Sequence, residues 1–225
     1  LGCAAKGQGT ENFRRILQVA EEKMYHQKLM EGHSYRSGVI RGLLAALPEK
    51  SCESDAHVQR LKRSCAAMAR QVGLSQDAVS DLTTLAMLHD VGQVGVPREV
   101  LCKPGPLDAE EWVEVRRHPE IGYRIAHSTM ELSVVAESIL CHHEHWDGRG
   151  YARGLSKDSI PLVSRIFAVA DAYDAMTHDR PYRRAMGGQK AIQELRRCAG
   201  TQFDPELVWV FCRLYDRHPA NRPPM

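Results

Sequence analysis

The sequence predicts an all-α fold, and three observations carry that prediction. Apolar residues recur at three- and four-residue spacing along most of the chain. Alternating, strand-like stretches are almost absent after residue 10. The breaks between periodic segments hold helix-end residues: Ser75 and Asp108 as N-caps, Gly73 as a C-cap, and Pro48 stopping the segment before it. With 225 residues, 43% of them hydrophobic, the chain can bury a core and is not a disordered segment.

The elements follow in order. The chain starts with a short apolar piece and a Gly-rich turn. A helix then puts Phe13, Ile16, Leu17, Ala20 and Met24 on one face. A second helical stretch carries Val39, Ile40, Leu43, Leu44 and Leu47 and ends before Pro48. Seven core helices are expected beyond residue 51, near 54–72, 76–89, 108–127, 132–145, 160–178, 188–199 and 204–216. The expected organisation is a strand–helix segment at 1–30, a helical connector at 31–48, a helical bundle at 49–218 and a tail at 219–225.

Charge and composition narrow the function. Thirty Lys plus Arg stand against 28 Asp plus Glu, a net charge of +2, which argues against general nucleic-acid binding. No apolar run approaches the roughly 20 residues that span a bilayer, and no signal peptide is legible. Seven cysteines, odd in number and without a C-x-x-C pair, read as reduced thiols of a cytoplasmic protein. Histidine is over-used: 11 His against 4 Phe.

Several of these histidines, with some aspartates, fall on apolar helix faces. His57 heads the stripe Leu61, Cys65, Met68, Val72. His89 follows Leu82 and Leu85, and His118 lies in phase with Val115, Ile121 and Ile125. His142 and His143 follow Ile139 and Leu140, each by three, and Asp171 and Asp174 continue the row of Ile160 and Phe167. One such histidine is more often a hydrogen-bonded core residue than a ligand, and one such Asp can cap a helix or pair with Arg. Five helices each sending a polar group into one core need a common compensator, because burying such groups costs several kcal/mol apiece. Metal is that compensator; imidazole nitrogen with carboxylate oxygen suits iron, manganese or zinc.

Local motifs sharpen the reading. LHDVG sets His89 and Asp90 together at a helix end, where Asp90 can bridge two ions. ESDAH puts Glu53 and His57 at i and i+4, on one helix face. CHHEHWDGRGYARGL supplies His142, His143 and Glu144, then a Gly-punctuated loop with Asp147 and Tyr151. A lone His-Asp pair is weak; the ordered series of five separate blocks is strong.

This series resembles the HD-GYP family, a group of HD-domain metal phosphohydrolases that act on cyclic di-GMP. The resemblance covers roughly residues 50–216 and includes HDVGQVGVP, KPGPL, RRHPEIGYRI, HHEHWDGRGY, IPLVSRIFAVADAYDAMTHDRPYR and FDPELV. It implies an HD-domain helical bundle with an N-terminal helical extension. It implies two or three divalent ions, iron or manganese, held by His57, His89, Asp90, His118, His142, His143 and Asp171, with Glu53 accompanying a third ion. The implied reaction is in-line attack of a metal-bridging hydroxide on one 3′–5′ phosphodiester of cyclic di-GMP, giving linear pGpG, with either pGpG or GMP as the final product. His89, Asp90 and Gln93 occupy catalytic positions of the motif. Arg180 and Arg183 match positions that hold phosphate, a task guanidinium suits. Tyr151 stacks on guanine, donates to phosphate, or only packs its loop.

Two positions depart from the family pattern. The usual Lys of H-D-x-G-K is Gln93, which donates a hydrogen bond without charge, and the Pro of G-Y-P is Ala152, which relaxes the loop behind Tyr151. These departures keep two rivals open: a sensor that binds cyclic di-GMP without turnover, and a hydrolase for another cyclic dinucleotide. Trp146 and the remaining histidines, 26, 33, 127, 145, 178 and 218, are read as packing, surface or satisfied residues. Residues 1–30 resemble the last strand and helix of a GGDEF domain, implying such a domain upstream and a homodimer through the N-terminal helices.

Overall fold

The computed structural model describes residue 42 and residues 55–128, 130–179 and 184–217. The chain divides into two units, Leu1–Leu43 and Leu44–Met225, and the second holds all the described residues but residue 42. The GGDEF-like segment, Glu53, Arg180, Arg183 and the C-terminal tail lie outside the described residues.

The all-α expectation holds. Among the described residues nine α-helices run in order: α1 Asp55–Gln71, α2 Gln76–Leu88, α3 Arg98–Leu101, α4 Ala109–Val115, α5 His118–His127, α6 Ser133–Leu140, α7 Leu162–Thr177, α8 Gly188–Arg197 and α9 Pro205–Arg217. Pairing of the β kind among the described residues is one bridge, Ala199 to Phe203. No described helix is long and apolar enough to cross a membrane.

The helix ends behave as their residues dictate. The Ser75 hydroxyl accepts from the Ala78 N–H at the start of α2. Asp108 and Glu111 exchange side-chain and backbone bonds at 2.9 Å each, a capping box that starts α4. Gly73 closes α1 with φ of 73°, a left-handed conformation that glycine adopts without strain. The core gathers around α7, which packs against α1, α2, α8 and α9. Phe167, Leu61, Met68, Leu82, Leu85 and Ile139 are fully buried in it, each contributing roughly 1.5–3 kcal/mol over the exposed state.

Two expected helices end early. The span 108–127 is two helices, α4 and α5, because Pro119 has no N–H for the Val115 carbonyl and its ring would clash there. The span 132–145 stops at Leu140, leaving His142 and His143 on the turn beyond it. The short helix α3 and the 3-10 turn Val91–Gly95 lie where periodicity is too brief to read. Cys102 is disulfide-bonded while Cys65, Cys141, Cys198 and Cys212 are free. The expectation of reduced thiols therefore fails at Cys102.

Candidate metal centre

Five separate stretches deliver the seven described residues expected as ligands. His57 comes from the first turn of α1, His89 caps α2, and Asp90 follows it. His118 opens α5, His142 and His143 lie on the turn after α6, and Asp171 sits midway along α7. All seven converge. One ligand atom from each of His118, His142 and His143 lies within 4.8 Å of the others, and His57, His89 and Asp171 form a second such group. Asp90 stands between them, its Oδ1 3.3 Å from His118 Nε2 and its Oδ2 3.4 Å from His89 Nε2.

The broken helices orient this centre. The Val115 carbonyl accepts from His118 Nδ1 at 2.7 Å, and the Ile139 carbonyl accepts from His142 Nδ1 at 2.5 Å. A carbonyl can only accept, so each Nδ1 carries the proton and each Nε2 of the neutral ring presents a lone pair. Those two Nε2 atoms are 3.2 Å apart. Two buried lone pairs facing one another call for a shared cation, and this is the sign that the residues fit a metal.

Electrostatics agree. Burial, reinforced by His143 and then His118, holds His142 well below the ordinary imidazole value. Burial and His118 lower His143 to about 3. Burial opposes charge on Asp90, yet His89, His118 and His142 outweigh it and hold the carboxyl well below its usual range. His142 and His143 thus stay neutral imidazoles beside a carboxylate, a donor chemistry suited to iron, manganese or zinc.

Asp174, given no role from the sequence, is part of the support. His57 Nδ1 donates to its Oδ2 at 2.6 Å, and Arg60 donates to Oδ1 at 2.5 Å and Oδ2 at 2.9 Å. Burial works against its charge, but the bonds from His57 and Arg60 prevail and bring it to about 2. A carboxylate fixing the outer nitrogen of an imidazole sets which nitrogen faces inward. The sequence does hold a signal for the pair: Asp174 and Arg60 each lie three residues beyond a ligand, one helical turn along. His178, expected to be ordinary, has Nδ1 3.2 Å from Asp174 Oδ1 and lines the same cavity.

That cavity holds about 430 Å³ and is also lined by Gln93, Lys103, Trp112 and Tyr151. Lys103 is paired with Glu111 at 2.6 Å. The Tyr151 ring stacks on His143 with centroids 4.9 Å apart, and burial raises its phenol, so the O–H stays a donor. The loop behind Tyr151 is not slack as Ala152 suggested. Buried Glu144 accepts from the Arg153 N–H at 2.6 Å and the Leu155 N–H at 3.1 Å, and the Tyr151 N–H donates to the His143 carbonyl. At Gly150 a Cβ would lie 2.3 Å from the His145 nitrogen, so only glycine passes there.

A helical bundle that gathers histidines and aspartates from five chain segments defines an HD-type fold. The family model described as an HD domain matches residues 39–207. A cyclic di-GMP phosphodiesterase of Thermotoga maritima is 37% identical over 195 residues, 86% of this chain and 53% of the relative. A 3′3′-cGAMP-specific phosphodiesterase 2 of Vibrio cholerae is 37% identical over 186 residues, 82% and 36% respectively. The crystal structure of a cyclic GMP-AMP-specific phosphodiesterase from V. cholerae superposes with a TM-score of 0.60 at 22% identity, covering 81% of this chain and 49% of that one. The chain belongs to the HD-domain family and, within it, to the HD-GYP group. It spans about half the length, or less, of these curated relatives.

Proposed function

We propose that this domain is a metal-dependent phosphodiesterase that opens one 3′–5′ phosphodiester of cyclic di-GMP, giving linear pGpG, with either pGpG or GMP as the final product. The position of Asp90, with one oxygen toward each histidine group, is the observation that carries the reading. Two divalent ions, iron or manganese, are the proposed complement: His118, His142 and His143 would hold one and His57, His89 and Asp171 the other, with Asp90 placed to serve either group. Glu53 would serve a third. Bound there, the ions supply Lewis-acid polarisation of phosphate and acidify water at neutral pH.

The chain's own groups do the rest. His118 and His142 keep their Nε2 lone pairs inward because their Nδ1 protons are held by backbone carbonyls. Asp174 does the same for His57. Tyr151 offers a phenol O–H to a phosphate oxygen, and Gln93 donates an amide hydrogen bond where the family has a Lys charge. Arg180 and Arg183 serve as phosphate contacts. A second reading, hydrolysis of a mixed guanine–adenine cyclic dinucleotide, is favoured by a relative of that specificity being as similar as the cyclic di-GMP one.

The test loads the protein with Mn(II) or Fe(II), counts the metal, and follows cyclic di-GMP and 3′3′-cGAMP by chromatography. Conversion of cyclic di-GMP to pGpG is the expected result. Tight binding without product would make the domain a sensor, and product from 3′3′-cGAMP alone would transfer the activity to that substrate.

A further inference from the structure

Resting on that reading and deepening it, we infer that Trp112 and Arg116 form a nucleobase platform at the mouth of the metal cavity, which takes one guanine of the cyclic dinucleotide. The cavity lining is of two unlike kinds. His and Asp side chains supply one; Val100, Leu101, Leu107, Trp112 and Val115 supply much of the other. Trp112 lines this space yet is 46% exposed, so a broad aromatic surface stands half in water beside the phosphate site. The Arg116 guanidinium lies 5.8 Å from the Trp112 ring centre and 5.4 Å from that of Tyr151, joining two cavity-lining aromatics. Among the described residues it pairs with no carboxylate, so its planar fork of N–H donors remains available. That fork matches O6 and N7 of guanine, while an indole face stacks on any base.

Covalent geometry ties the platform to the metal centre. Trp112 and Arg116 lie one helical turn apart at the end of α4, and Val115 between them holds His118 through its carbonyl. The turn that aims a metal ligand therefore also fixes where a base would lie relative to the phosphate. Metal ions grip a phosphodiester but read nothing of its bases. Choice among cyclic dinucleotides needs a surface of this kind.

The test compares Trp112→Ala and Arg116→Ala with the parent, metal-loaded, on cyclic di-GMP and on bis(p-nitrophenyl) phosphate, a diester without a base. Losing a stacked base is worth on the order of ten- to a hundred-fold. The KM for cyclic di-GMP should rise by that factor in Trp112→Ala with kcat changing far less, and the ratio of its kcat/KM to that for the baseless diester should fall in step. Trp112→Phe should recover most of the loss, whereas Arg116→Lys, lacking the fork, should behave like Arg116→Ala. A readout independent of turnover is quenching of tryptophan fluorescence by 5′-GMP, expected in the parent and in Trp209→Phe but lost in Trp112→Ala. Unchanged KM and retained quenching in Trp112→Ala would overturn the platform while leaving the phosphodiesterase reading intact. Quenching that depends on Trp112 in a protein without turnover would keep the platform and overturn the phosphodiesterase. A parent that cleaves the baseless diester but binds neither cyclic di-GMP nor GMP would overturn both.

Discussion

At Asp174 one carboxylate holds both the His57 imidazole and the Arg60 guanidinium, so it decides which nitrogen of His57 turns inward. Asp174→Asn keeps the shape and removes the charge. Loss of such an outer partner costs roughly 10–100-fold in metal affinity or activity, and the expected result is a loss in that range, read by competitive chelator titration. Full affinity in the variant would show that His57 needs no such support. Gln93 makes the opposite prediction. It lines the cavity but carries no charge, so Gln93→Lys restores a cation beside the phosphate. Turnover of cyclic di-GMP should then rise, whereas a sensor that had lost catalysis for other reasons would stay silent. Cys65 lies on the same helix as His57, and burial, helped by the Asp171 charge, raises its thiol far above the ordinary value. The folded pKa is raised, so the protonated, folded form is favoured below about pH 9 and that contribution fades above it. Iodoacetamide at pH 8 should therefore label Cys65 only in the unfolded protein, as read by mass spectrometry.

At the scale of elements, the ends of helices matter more here than their lengths. Pro119 breaks what periodicity presents as one helix, and the break frees the Val115 carbonyl to orient His118. The end of α6 does the same for His142. Neither break is legible from apolar spacing, because Val115, Ile121 and Ile125 stay in phase across the gap. The histidines that converge are legible in the sequence, since imidazoles on apolar stripes violate the ordinary pattern. Their carbonyl partners are not, because a backbone carbonyl is the same in every residue. Gly92 shows how closely the elements fit: a Cβ there would lie 1.9 Å from the His118 carbonyl oxygen and 2.6 Å from the Gly122 nitrogen. Gly92→Ala must push the 3-10 turn away from α5. Overpacking of this kind costs about 1–3 kcal/mol. The expected outcome is a lower melting temperature together with weaker metal retention, because His118 moves with the turn. A variant that melts lower yet keeps its metal would separate packing from ligand placement.

Across the whole molecule, the centre joins residues as far apart in sequence as His57 and Asp174, 117 positions. The net charge of +2 excludes a broad basic surface, but it is silent about a buried cluster in which divalent ions meet an anionic ligand. Because the proposed ligands arrive from α1, α2, α5, α6 and α7, an ion held by them would bind the folded arrangement and not the open chain. It would therefore stabilise folding by mass action. At a free metal concentration one hundred times the dissociation constant, this amounts to about 2.7 kcal/mol. For a domain of this size that corresponds to a rise of about 5–10 °C in melting temperature. Thermal unfolding in Mn(II) against EDTA should show that difference in the parent. Asp90→Ala, which removes the carboxylate shared by both histidine groups, should melt at the same temperature with and without metal and should lose turnover. An equal metal-dependent shift in Asp90→Ala would place the stabilising ion elsewhere, because Asp90 is the carboxylate with one oxygen toward each histidine group.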